Sequence, residues 1–440
     1  MTDVTHEGSL EQVVSEQDFI PLLSAASKGF HSLSGDLVLA ALTPWSKRQL
    51  FLLYTEADEL ESFLDDYGAR TNQAYAVMTE LVASVRGFAL AGLSLEHLVR
   101  RIDGYGALAR LPEDERSSAR EDLAAARTFS QETLLAFLGA LQDEAKRLGV
   151  SLPRAESREA PIALEPVRIR LPHDLGLQGL EEEEQRIAEV SAKYLQACAM
   201  LEEAGLRRED DPKVRARLLK ERCSEESARV YEATVHNLQS AYDTYIKNTV
   251  LEAEDERLVQ LRGHISATLH VLEAVTQLTH FVERHESDVR DLAARERLGE
   301  LVPREAVHQV ILNQLLFWAD RLLQQGSGLA EELLPSYTNL QSLAVELGAG
   351  LVVHARPASM IVSIVNHHGT PVELELEGQT CNAASILELM VLIGSYPEAR
   401  HFLFRGDEHP LRDIGVLFEH GLGEYGAASL PGSLDYLRGL

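Results

Sequence analysis

The chain has 440 residues but only three cysteines, Cys198, Cys223 and Cys381, far apart and in no CxxC pair. That excludes a disulfide framework and a vicinal redox pair, and it fits a reducing compartment. Basic residues are scarce as well: 41 Lys and Arg stand against 69 Asp and Glu, a formal net charge of −28. Such a surface repels phosphate backbones and anionic lipid. No basic patch offsets it, because the cations are interleaved with acids, as in Arg207-Arg208-Glu209-Asp210-Asp211. Nucleic acid is therefore not an expected partner. Long apolar runs are missing too, with no stretch of about 18 apolar residues to span a bilayer. The opening MTDVTHEGSLEQVVSEQD lacks the basic start and apolar run of a secretory signal, so a cytoplasmic location without membrane insertion is expected. There is no Walker loop, no GxSxG elbow and no GxGxxG turn, and neither a cofactor nor a metal is expected.

With 45% hydrophobic residues the chain can build two or three cores. Residues 1–150 read as a helical domain; from Pro44 to Tyr67, for instance, Leu50, Leu53, Leu60 and Leu64 recur at helical spacing and Gly68 closes the helix. Residues 151–180 hold most of a proline-containing stretch that reads as an extended linker, since proline breaks helix continuity. Residues 181–335 read as a long helical hairpin or bundle. The acidic run EEEEQ at 181–185 suits a helix start, and Asp211-Pro212 is a second start signal. Residues 213–291 then contain no proline and a single glycine, Gly263, with Leu219, Val230, Leu238, Leu258, Leu261, Leu269 and Leu272 as expected core. Apolar stripes this long are expected to close within a bundle or against a second copy, giving a homodimer through the helical region.

His236, His264, His270, His280 and His285 crowd this region, yet no two sit at i and i+4 in a zincin pattern. His280 and His285, five apart, fall about 140° from one another on an α-helix. They read as surface or hydrogen-bonded core residues. An enzyme site dispersed through the helices would require a tight polar cluster in a cleft.

In residues 336–440 the texture changes to short alternations. Val372, Leu374 and Leu376 alternate with Glu373, Glu375 and Glu377 as in a half-covered strand, and Gly378-Gln379 reads as a hairpin turn. The expected order is a strand at 341–353, helix 355–367, strands 371–377 and 379–383, a helix from Ser385, strand 399–405 and a helix from Asp407. That is βαββαβα, an open-faced sandwich, so the whole chain is α+β with a large all-α region first.

At the head of the first of these helices stands His354-Ala355-Arg356-Pro357-Ala358. Proline suits the first helical turn, the turn's free amides make an anion site, and Arg356 adds a planar cationic donor. The string resembles the His-x-Arg-Pro-Ala site of HPr phosphocarriers of the bacterial phosphotransferase system. Ser385-Ile386-Leu387-Glu388-Leu389-Met390 resembles that family's second helix at the family's spacing, and Gly421-Leu422-Gly423-Glu424 resembles its close. The family places Gly-Leu directly before the histidine, whereas here Gly350-Leu351 is followed by Val352-Val353.

The resemblance implies that His354 accepts a phosphoryl group, that Arg356 stabilises it, and that Ser385 is a regulatory position. It also implies that Ile386, Leu387 and Met390 dock partners. The donor so implied is an Enzyme I-like protein fed by phosphoenolpyruvate, with a downstream protein still to be named. The role so implied is that of a regulatory phosphoryl carrier rather than a turnover enzyme. The alternative is a non-phosphorylated HPr-like docking module on a helical scaffold, with His354 as a plain helix cap.

Overall fold

The computed structural model describes residues 14–151, 180–285, 291–348, 350–424 and 430–437, so the interior of the stretch read as a linker lies outside it. The helical part runs α1 (Glu16–Ala26), α2 (Lys28–Leu39), α3 (Lys47–Asp66), α4 (Ala76–Tyr105) and α5 (Glu113–Leu148). It resumes with α6 (Leu180–Ala204), α7 (Pro212–Arg222), α8 (Glu225–Tyr245), α9 (Val250–Glu254) and α10 (Glu256–His280). It ends with α11 (Leu292–Leu301), α12 (Arg304–Gln309), α13 (Phe317–Gln325) and α14 (Ser327–Ser336). Two π-helical stretches, Phe281–His285 and Val310–Leu316, continue α10 and α12.

Local chemistry sets many of the ends. Ser46 and Gln49 form a capping box at α3, and Gly68 beyond it sits in the left-handed region at φ 67°. The Asp211 carboxylate accepts from the amides of Lys213 and Val214 while Pro212 occupies the first helical position of α7.

Helices from both sides of 152–179 share one hydrophobic cluster that extends from Phe19 to Leu333. At its centre α4 packs against α3, α5 and α10. That helix is long and apolar enough to cross a membrane by composition, but Val82, Val85, Phe88 and Leu95 on it are fully covered by neighbouring helices. The stretch after Pro212 divides into α7, α8, α9 and α10, with α8 packed on α10, and its apolar stripes close against α4, α6 and α13 of the same chain. Leu219, Leu238, Leu258, Leu261, Leu269 and Leu272 are buried, whereas Val230 is 52% exposed. The covered stripe of α8 is Ala228, Tyr231, Val235, Leu238 and Tyr242, and Val230 falls off it.

The C-terminal domain follows the expected order: β1 (Leu340–Glu346), α15 (Ala355–His368), β2 (Val372–Leu376), β3 (Gln379–Asn382), α16 (Ile386–Ser395), β4 (His401–Asp407) and α17 (Glu408–Glu419). Its antiparallel sheet has the order β1-β4-β2-β3, and Phe404 pairs with Leu343 on one side and Leu374 on the other. These rows meet α15, α16 and α17 in a second hydrophobic cluster, so the helices cover one face of the sheet. The β2–β3 turn lies one residue earlier than Gly378-Gln379: Glu377 and Gly378 both have positive φ, 49° and 78°, as a two-residue type I′ turn requires.

Gly263 marks a close helix crossing, since a Cβ there would stand 1.9 Å from the Tyr105 carbonyl oxygen at the end of α4. Backbone cannot rotate aside. Gly263→Ala should therefore lower the unfolding free energy by about 3 kcal/mol or more, the upper end of typical overpacking costs. Urea denaturation measures this, and a loss below about 1 kcal/mol would contradict the crossing.

Candidate functional site

The approach to α15 is fixed by groups distant in sequence. Leu347 N–H donates to the Arg400 carbonyl at 2.7 Å, and the Arg400 guanidinium in turn donates to the carbonyls of Leu347 and Gly348. Of the two valines before the histidine, Val353 is buried in the domain core and Val352 is exposed. The pair thus serves as one anchor and one solvent-facing residue, and His354 reaches the N-cap of α15 in extended backbone.

There the ring is held from both sides. The Arg356 N–H donates to His354 Nδ1 at 3.3 Å, and His354 Nε2 lies 2.8 Å from Glu424 Oε1. A nitrogen that accepts a backbone hydrogen bond carries no proton, so the Nε2–H is the one offered to Glu424. The Nδ1 lone pair consequently points at the positive end of α15. Pro357, at the third helical position, is buried and brings no amide of its own, while Ala358 N–H donates to the His354 carbonyl at 3.1 Å. Arg356 is exposed, and its guanidinium has no ion-pair partner among the described residues.

Glu424 is delivered by an unusual backbone. Gly421, Leu422 and Gly423 all lie in the left-handed region, at φ 64°, 58° and 68°. Leu422 is buried there, and a Cβ on Gly423 would meet the Met360 sulfur at 2.8 Å. Strain of this kind persists where surrounding structure enforces it and clusters at functional sites.

Ser385 is the N-cap of α16, its hydroxyl accepting from Glu388 N–H at 3.3 Å, and the Glu388 carboxylate accepts from Asn382 N–H at 3.0 Å. Ile386 and Leu387 are exposed and Met390 is partly buried against the domain core. Val391, which pattern reading did not single out, adds to the same apolar face at 61% exposure. The α16 helix packs beside α15, so this face and His354 belong to neighbouring elements.

Of the five histidines that crowd residues 236–285, His236 is exposed and the other four are hydrogen-bonded. His264 is buried with Nδ1 2.8 Å from the Leu322 carbonyl, and burial pushes its pKa down to about 4. The π-helical turn brings His280 and His285 together, ring centroids 5.4 Å apart, although α-helical spacing would separate them. Each meets a different carboxylate: His280 Nδ1 lies 3.0 Å from Glu225 and His285 Nδ1 2.6 Å from Glu80. Burial would raise the Glu225 carboxyl, but hydrogen bonds from His280, Arg229 and Arg284 outweigh it and hold it at about 2.

A second cluster gathers in a cleft of 370 Å³ between α4 and α10. His97 Nδ1 lies 3.1 Å from Lys47 Nζ, His97 Nε2 2.7 Å from the Tyr105 hydroxyl, and Glu273 joins His270 to Ser94. Each of these groups is satisfied by another of them, as in a structural network. No group of three or more His, Cys, Asp or Glu side chains is arranged to hold a metal among the described residues.

Comparison with known families matches residues 341–396 to the PTS HPr component phosphorylation site family. The match spans β1 to α16 and includes His354, Arg356 and Ser385; β4, α17 and Glu424 lie beyond it. No curated protein and no solved structure matches the chain. The C-terminal domain is HPr-like in sequence and in its βαββαβα order.

If Ser385 acts as a helix cap, Ser385→Ala should cost about 0.5–2 kcal/mol while Ser385→Asp, which preserves a capping oxygen, should stay within a few tenths. Thermal denaturation of both variants distinguishes a cap from a residue without structural duty.

Proposed function

With an HPr-like domain at its C-terminal end, we propose that this protein is a cytoplasmic bacterial regulatory phosphocarrier that takes a phosphoryl group on His354. The donor would be phosphorylated Enzyme I or a relative of it, charged from phosphoenolpyruvate. The observation that carries the reading is the placement of the His354 ring, Nδ1 towards the amides of α15 and Nε2 on Glu424.

In this reading the Nδ1 lone pair attacks phosphorus, the new N–P bond forms there, and the electron pair of the broken N–P bond returns to the donor's imidazole. The attacking ring becomes imidazolium-like as it gives up its lone pair, and the Glu424 carboxylate stabilises that charge through Nε2–H. The oxygens of the transferred group settle against the amide of Arg356 and the positive end of α15, with the free guanidinium of Arg356 as a second donor. Ile386, Leu387, Met390 and Val391 supply an apolar docking face, and the helical region serves as output or partner-binding module. A scaffold lacking phosphorylation would use the same face, with His354 as a cap only. A second copy, if the protein dimerises, would meet apolar side chains left exposed on α2 and α3 or between them, such as Leu39, Leu42 and Phe51. Light scattering of the full chain reads that directly.

Incubation with Enzyme I and phosphoenolpyruvate, without added HPr, should give an acid-labile, alkali-stable phosphohistidine on residue 354 and none in His354→Ala. Mass spectrometry that finds residue 354 unmodified would make the docking-scaffold reading the correct one. Arg356→Ala should leave stability within about 1 kcal/mol, as for other exposed positions. It should also slow transfer roughly tenfold or more, as loss of a transition-state donor does. Unchanged transfer rates would remove Arg356 from the site.

A further inference from the structure

The helical region contains a cavity of 830 Å³ bounded by α7, the end of α10 and α12, within the range of roughly 300–1,000 Å³ typical of small-molecule sites. Both π-helical stretches of the described residues open onto it: Val282 and Glu283 come from one and Ile311 from the other. π-Helical turns are rare, cost regular hydrogen bonding and recur at functional sites, so two converging on one cavity is an independent sign of a site.

The lining is divided by chemistry. Leu219, Val282 and Ile311 make an apolar floor, each of them buried. His308 also lines the cavity; it is 9% exposed and has no hydrogen-bond partner among the described residues. Burial, reinforced by Arg304 and Arg215, pushes its pKa down to about 4, so at neutral pH it is an uncharged imidazole with one donor and one acceptor to offer. An imidazole that lines a cavity without a protein partner is a group a ligand can satisfy.

The mouth carries Lys213, Lys220 and Arg304. The two acids there are already engaged: Glu283 accepts from Glu225 N–H at 3.0 Å, and Glu305 lies 3.7 Å from Arg215. Lys213 and Lys220 have no ion-pair partner among the described residues. On a chain of net charge −28 this is a local reversal of sign, and it selects for anions against the field of the rest of the protein. Cys223 lies in the wall, where burial pushes its thiol up to about 12, so the cavity is built to bind and not to react covalently.

We propose that this cavity binds a small organic anion with an apolar body, its charge at Lys213 and Lys220 and a polar group of the body against His308. The proposal is independent of the phosphocarrier reading and gives the helical region a ligand to sense.

The test uses the full chain and 8-anilinonaphthalene-1-sulfonate, an aromatic body carrying one sulfonate, followed by fluorescence titration and by NMR of isotope-labelled histidine. The expected result is one saturable site whose occupancy shifts the His308 resonances. Lys213→Glu with Lys220→Glu should weaken binding at least tenfold, whereas the paired Lys→Arg changes should leave it within twofold. Ala216→Trp, at a half-buried position in the wall, should abolish binding by filling the cavity. Thermal melts check that each variant is folded; if Ala216→Trp is not, Ala216→Phe replaces it. Absence of saturable binding, or binding that persists unchanged in either the charge-reversed or the filled variant, overturns the proposal.

Discussion

The C-terminal site depends on one arrangement, an imidazole clamped between a helix N-terminus and a carboxylate. A histidine has two nitrogens, and only the one without a proton can act as a nucleophile. Here the tautomer is set by partners on opposite edges of the ring, Arg356 N–H on Nδ1 and Glu424 on Nε2. Much of the surrounding structure maintains that clamp. Val353 and Arg400 fix the chain before the histidine, and the left-handed run Gly421-Leu422-Gly423 places the carboxylate behind it.

The other end of α15 is tied to the helical body. His368 donates from Nε2 to Asp413 at 2.9 Å and accepts at Nδ1 from Gln185 of α6 at 3.1 Å. Gly369 follows at φ 70°, where a Cβ would meet the Glu189 side chain of α6 at 2.5 Å. The 14-residue helix, about 20 Å long, therefore carries His354 at one end and the attachment to α6 at the other. On the reading of His354 as an acceptor, any change at the ring is made on an element that also belongs to the helical body's surface.

What could be read from the sequence follows from the range of the interactions involved. Alternation in Val372-Glu373-Leu374-Glu375-Leu376 and the helix starts expected at Asp211-Pro212 and Ser385 are local, and the corresponding elements lie where those signals put them. Hydrophobicity alone puts Val230 in the core, but its side of α8 faces solvent because the stripe is defined by partners the pattern does not name. The two π-helical turns leave no periodic signature, so neither the meeting of His280 with His285 nor the cavity beside Ile311 could be anticipated. Glu424, seventy residues from His354, lay in a segment whose likeness to HPr was legible while its contact with the ring was not. That α4, apolar for most of its length, is largely buried likewise depends on helices drawn from the whole region.

The central claim is that Nδ1 of His354 is the acceptor atom, with Nε2 kept protonated by Glu424. Phosphorus and nitrogen NMR of the chain, labelled in histidine and phosphorylated by Enzyme I and phosphoenolpyruvate, resolves which ring nitrogen carries phosphorus. The account expects a phosphorus–nitrogen coupling to Nδ1 of residue 354, with Nε2 still bearing its proton. Phosphate on Nε2, or on a histidine of the helical region, would contradict it.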